Sequence, residues 1–168
     1  IVRIAADGSG RQSLTRTGPF PDGDLAGRTG DAAPQLSPDG AQLIFTRSLP
    51  RKDYGVRRSI MLANADGSGA RVILRGNRKV DFSAPAWMPD GKSVAVARSI
   101  DRPNGTARSV VIASLNGKSV KTVFTLPLHR RGDLKQDLAT YREPIDIGVS
   151  PDGKRFLNTV SDACSYDR

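Results

Sequence analysis

One histidine, one cysteine and seventeen acidic residues are the groups with which this 168-residue chain could move protons, attack a substrate or hold a metal. His129 is the only side chain whose ordinary pKa lies near neutrality. It stands among Leu128, Arg130 and Arg131, with no second histidine for a zinc site and no paired nucleophile, and reads as an exposed loop residue. Cys164, being alone, excludes an internal disulfide and a multi-cysteine zinc site. Gly91-Lys92-Ser93 and Gly117-Lys118-Ser119 copy the end of a phosphate-binding loop. Ala86 and Ile112 stand where its first glycine is required, and an apolar run follows rather than a helix. Gly148-Val149-Ser150-Pro151-Asp152 departs from a nucleophile elbow at its last position. Arg131-Gly132-Asp133 matches an integrin-recognition tripeptide, a weak three-residue signal. The aspartates of the Asp-Gly steps lack the alternating spacing of a calcium loop. The expectation is a chain without a catalytic constellation, cofactor or metal of its own.

The acidic residues instead mark a repeat. With Asp7-Gly8, Asp66-Gly67 and Asn116-Gly117 in register, IVRIAADGSGRQSLT, IMLANADGSGARVIL and VVIASLNGKSVKTVF align without a gap. Each has two short apolar runs around a step that signals a hairpin, predicted as a type I′ turn with positive φ at both central residues. Pro38-Asp39-Gly40, Pro89-Asp90-Gly91 and Pro151-Asp152-Gly153 mark a second hairpin. In it proline sets φ, aspartate bonds its own backbone and glycine takes a left-handed position. The runs after it, Leu43-Ile44-Phe45, Val94-Ala95-Val96 and Phe156-Leu157, do not alternate with polar residues, which suits strands buried on both faces. Pro21-Asp22-Gly23 is a decoy, because DLAGRTGDAA after it cannot form such a strand.

The unit is therefore four antiparallel strands a, b, c and d, with the Pro-Asp-Gly turn between a and b and the Asp-Gly turn between c and d. Successive Pro-Asp-Gly aspartates lie 51 and 62 residues apart, a spacing that indicates propeller blades. The expected fold is an all-β fragment of a propeller. It comprises strands c and d of one blade at 1–15, full blades at 33–74 and 84–124, and strands a and b of a fourth at 146–161.

Pro34-Gln35-Leu36-Ser37-Pro38-Asp39-Gly40 with Asn64-Ala65-Asp66-Gly67-Ser68-Gly69, and Pro85-Ala86-Trp87-Met88-Pro89-Asp90-Gly91, resemble the Pro-Asp-Gly propeller repeat of the TolB-like family. The third copy departs, with Ile147 and Val149 where proline and tryptophan would stand. The resemblance implies a six-bladed ring, of which this chain supplies about half, and a periplasmic or other cell-envelope protein that docks partners. The chain opens on Ile1 in mid-pattern and reads as a piece of a longer protein. The alternative is that two copies pair to complete a ring.

Strand alternation puts the a–b and c–d turns at one end of every blade and the b–c and d–a connections at the other. The second set holds every insertion: 16–32, 47–58, 75–84, 98–108 and 125–146. These segments carry 17 Lys and Arg against 10 Asp and Glu, so most of the net charge of +9 lies at that end. A bland source for the charge exists, since 19 arginines against 7 lysines is also the usage of GC-rich genomes. The candidate partner-binding residues are Arg47, Arg51, Lys52, Tyr54, Arg57, Arg58, Arg130 and Arg131. The partner expected is an acidic protein surface, with an anionic glycan or membrane headgroups as alternatives. Nucleic acid ranks lower, because no groove-reading helix or stacking sheet is visible. A carbohydrate-processing propeller would be expected to show more aromatic residues there than Tyr54, Phe82 and Tyr141. The function expected is a non-catalytic interaction scaffold. The competing expectation is the gating propeller of a prolyl-oligopeptidase-like serine hydrolase whose catalytic domain lies outside this chain.

Overall fold

The computed structural model describes residues 1–15, 29–51, 56–126, 129–130 and 143–161. Every helix or strand among them is a strand. β1 (Val2–Arg3) and β2 (Gln12–Ser13) form a first hairpin. β3 (Gly30–Leu36), β4 (Gln42–Pro50), β5 (Val56–Asn64) and β6 (Arg71–Leu74) form an antiparallel sheet in chain order. β7 (Val80–Trp87), β8 (Ser93–Arg102), β9 (Gly105–Ser114) and β10 (Val120–Thr125) repeat it. A short β11 (His129–Arg130) pairs with Thr106 and Gly105 of β9, so the backbone at His129 is strand rather than plain loop. β12 (Glu143–Val149) and β13 (Phe156–Ser161) form a last hairpin.

The two kinds of turn are one device. In the first, the Gly40 amide donates to the Ser37 carbonyl at 2.8 Å, and the Ala41 amide donates to Asp39 Oδ1 at 3.0 Å. In the second, Gly67 donates to Asn64 at 2.8 Å and Ser68 to Asp66 Oδ1 at 2.9 Å. The prediction of type I′ turns at the Asp-Gly steps is therefore corrected. φ is positive at the glycine and not at the aspartate or asparagine before it. The carboxylate, by accepting the next free amide, holds a turn in which only one residue has to be left-handed.

The same bonds set the charge state of the turns. Ser37, Ser150, Ser9 and Ser68 hydroxyls hold Asp39, Asp152, Asp7 and Asp66 below the ordinary carboxylate pKa of 3.8, helped by backbone amides. A carboxylate whose folded pKa lies below its unfolded value adds stability above the unfolded value and loses it as pH falls through the folded one. The urea midpoint is thus expected to be flat near neutrality and to fall below about pH 4. A triple Asp39→Asn, Asp66→Asn, Asp152→Asn variant should show a shallower acid slope.

The blades pack face to face, which explains the unbroken apolar runs. On β4, Ile44 faces the next sheet and joins a core with Ile60, Leu62, Trp87, Val94 and Val96. Its neighbours Leu43 and Phe45 face back toward Ile1 and Leu14 of the first hairpin. On β8 the outward pair Ala95 and Ala97 meets Ile147 of the last hairpin. Phe45, Ile44, Val94 and Val96 are fully buried, and each such side chain is worth about 1.5–3 kcal/mol relative to exposure. Ala33 and Ala84 each precede a proline at a bulge in strand a, where two residues oppose one, and both take left-handed φ.

The connections are tighter than the sequence implied. β4 and β5 stay paired as far as Pro50 and Val56, and β8 and β9 as far as Arg102 and Gly105. Much of 47–58 and 98–108 is therefore strand. Gly105, at φ 140, closes the second hairpin around Pro103-Asn104.

Candidate functional site

The meander gives the molecule a turn end and a loop end. At the turn end, each blade sits on the one before. A Cβ added to Gly67 would overlap the carbonyl of Leu14, and one added to Gly117 would overlap the carbonyl of Ile73. Leu14 and Ile73 occupy the same place in the repeat, seven residues after their own Asp. The Pro-Asp-Gly turns also stack: the same construction puts Gly91 3.9 Å from Pro38 and Gly153 3.5 Å from Pro89. The turn aspartates are thus occupied by their own turns, and this end offers little free chemistry.

The loop end gathers cations between the two four-stranded sheets. A polar cleft of about 40 Å³ is lined by Arg51, Arg78, Lys79, Asp81 and Asp101 among others. Asn77 shapes it, because its Oδ1 accepts the amides of Lys79 at 2.8 Å and Val80 at 3.0 Å. Asp81 Oδ1 accepts the Arg58 amide at 3.0 Å, and Asp101 accepts the Thr106 hydroxyl at 3.0 Å. Asp101 also donates its amide to the Lys79 carbonyl at 2.7 Å, which ties the loop to β8. Both carboxylates therefore have hydrogen-bond donors within the fold. A cleft of this size is too small for a cofactor or a drug-sized molecule. It can admit the head of an acidic side chain carried on a larger surface.

The eight candidates separate. Arg47 is spent on the fold: its Nε and Nη2 bond the buried Asp31 carboxylate at 2.7 and 2.8 Å, which keeps its guanidinium firmly protonated. It also lies 5.4 Å above the Phe45 ring. Arg51 reaches the Arg78 carbonyl at 3.5 Å and belongs to the cleft. Arg57 and Arg58 are successive residues of β5, so their side chains leave opposite faces and cannot make one patch. Arg130 lies on β11, where its backbone pairs with Gly105. Lys52, Tyr54 and Arg131 lie outside the described residues. Arg78 and Lys79 were not among the candidates; Gly76-Asn77-Arg78-Lys79, a glycine-asparagine loop with two cations, was the available signal. Arg98 bonds Ser109 and Thr122 hydroxyls at 3.2 Å each, and Arg108 is buried. Among the described residues no three His, Cys, Asp or Glu lie together as a metal site would require.

No protein-family model matches the chain. A stretch of 61 residues, 36% of the chain, is 39% identical to dipeptidyl-peptidase 5 of Porphyromonas gingivalis and covers 9% of that protein. Among solved structures, the chain is similar to an oligogalacturonate lyase in complex with manganese, with a TM-score of 0.60 at 15% identity, covering 96% of this chain and 36% of that one. It is also similar to TolB from Acinetobacter baumannii, with a TM-score of 0.51 at 16% identity, covering 94% and 33%. The chain thus spans about a third of those structures and less than a tenth of the peptidase. At these identities the structural likeness shows the fold: an all-β, propeller-type succession of four-stranded antiparallel blades.

Proposed function

We propose that the chain is about half of a six-bladed, TolB-like propeller and serves as a scaffold without chemistry of its own. It holds an acidic protein surface against its loop end, in an extracytoplasmic setting. The observation that carries this reading is the division of charge. Arg51, Arg78 and Lys79 meet around one small cleft at the loop end, while the turn-end carboxylates are consumed by their own backbone. A cationic cleft of that kind attracts acidic partners at long range and loses its pull with salt. An anionic glycan or a headgroup surface would be drawn by the same field. The likeness to TolB supports the scaffold class and the setting.

The test uses heparin as a polyanion probe. An Arg51→Ala, Arg78→Ala, Lys79→Ala variant should elute from immobilised heparin at clearly lower salt than the parent. A Lys92→Ala, Lys118→Ala, Lys154→Ala variant removes the same charge from the turn end and should elute close to the parent. Equal shifts for both would reduce the effect to net charge and defeat the proposal.

A second reading keeps the fold and changes the role: a propeller that gates substrate entry to a serine hydrolase domain outside this chain. The stretch shared with dipeptidyl-peptidase 5 favours it. A hydrolase domain with a nucleophile elbow in the same open reading frame would support it. A full-length frame without one would remove it.

A further inference from the structure

We infer that the two ends of this chain are the two halves of one blade interface, and that a second copy of the chain joins them, head to tail, into a closed two-chain ring. This goes beyond the role of the loop end and does not depend on what binds there.

The first hairpin supplies strands c and d without a and b, and the last supplies a and b without c and d. In the complete sheet, strand b pairs with strand c through Leu43 with Ala63, Ile44 with Leu62 and Phe45 with Met61. The repeat maps these pairs onto Phe156 with Ile4, Leu157 with Arg3 and Asn158 with Val2. β13 and β1 each pair on one side only among the described residues. Their apolar residues lie open: Val2 is 47% exposed, Ile4 55% and Leu157 80%.

The sheet-on-sheet seams give the same answer. The chain makes one seam twice through equivalent residues: Gly67 on Leu14 and Gly117 on Ile73, Gly91 on Pro38 and Gly153 on Pro89. The next equivalents are Gly8 on Val123 and Gly40 on Pro151, which lie at opposite ends of the chain. Gly8 and Gly40 have nothing within 4 Å of an added Cβ, and Val123 is left 38% exposed. Leu36 stands where Trp87 stands in the next blade, and is 57% exposed. The Trp87 indole bonds the Gln35 carbonyl at 3.2 Å, and the residue equivalent to Gln35 is Gly148. An apolar hollow of about 310 Å³ includes Leu36 and Gly40; another of about 400 Å³ includes Gly148 and Pro151. Each is one side of the seam that the chain already builds internally. A head-to-tail pairing of this kind closes when two copies complete each other's half blades, giving six four-stranded sheets and no open edge.

Light scattering of the 168-residue chain should give twice its mass of 18.0 kDa. Gly8→Ala is the decisive variant, because Gly8 touches nothing within one copy but would meet the Val123 backbone of the other. It should stay folded by circular dichroism and fall to the mass of one chain. Gly10→Ala, also open and left-handed in φ, should keep the parent mass. As an independent readout, Ile4→Cys and Phe156→Cys chains in a Cys164→Ser background should form a disulfide when mixed and not when either is kept alone. A parent mass of one chain would overturn the inference and assign both faces to strands outside residues 1–168. So would a Gly8→Ala variant with the parent mass, or mixed chains that fail to cross-link.

Discussion

Replacing Gly117 by alanine is expected to lower the unfolding free energy by about 3–5 kcal/mol, with Gly67→Ala close behind, at the severe end for single substitutions. Two effects act together. Both glycines have left-handed φ, at 70 and 85, which disfavours a side chain by about 1–2 kcal/mol. In addition, the new Cβ would overlap a main-chain carbonyl of the preceding blade, Ile73 for Gly117 and Leu14 for Gly67, and backbone cannot swing aside as a side-chain tip can. Gly40→Ala isolates the first effect, because its φ is 70 and nothing lies within 4 Å of the added Cβ. That variant is expected to lose only about 1 kcal/mol. Urea unfolding followed by the fluorescence of the single tryptophan measures all three. Equal losses would mean that the turns do not bear on the neighbouring blade.

Trp87→Ala is expected to cost about 3–5 kcal/mol, the range for removing a buried aromatic side chain. Trp87 is 8% exposed in the core between the two complete sheets, and its indole N–H bonds the Gln35 carbonyl of the other sheet. Trp87→Phe keeps most of the apolar area and leaves that carbonyl without its donor, so about 1 kcal/mol should be lost. Far-UV circular dichroism in urea gives both values, since the fluorescent probe is absent. A Trp87→Ala loss no larger than that of Trp87→Phe would place the ring outside the core.

The all-β class and the four-stranded unit were legible because each depends on local chemistry. Asp and Gly at fixed offsets make the turns, and runs such as Leu43-Ile44-Phe45 lack polar alternation because both faces of the strand are covered. What local chemistry does not encode is less visible. The Asp-Gly step looks the same whether the aspartate takes positive φ or holds the turn by accepting an amide, and the fold uses the second. Gly67 and Gly117 read as turn formers, while the approach of Leu14 and Ile73 is a property of the neighbouring blade. Charge along the chain marked the basic segments but not how the side chains are used. Arg47 reads like Arg51, yet one is locked on Asp31, sixteen residues away in sequence, and the other lines the cleft. Arg78 and Lys79 joined Arg51 through the packing of two sheets, which no single segment displays.

The central claim is that successive four-stranded sheets stack through the same repeated seam. Nuclear Overhauser contacts in the labelled chain test it most directly. The account predicts cross-peaks from the Gly117 α-protons to Ile73, from the Gly67 α-protons to Leu14, and from the Trp87 indole proton to the Gln35–Leu36 backbone. Finding these three absent while β4–β5 and β8–β9 remain paired would show that the sheets form but do not stack blade on blade, and would contradict the account.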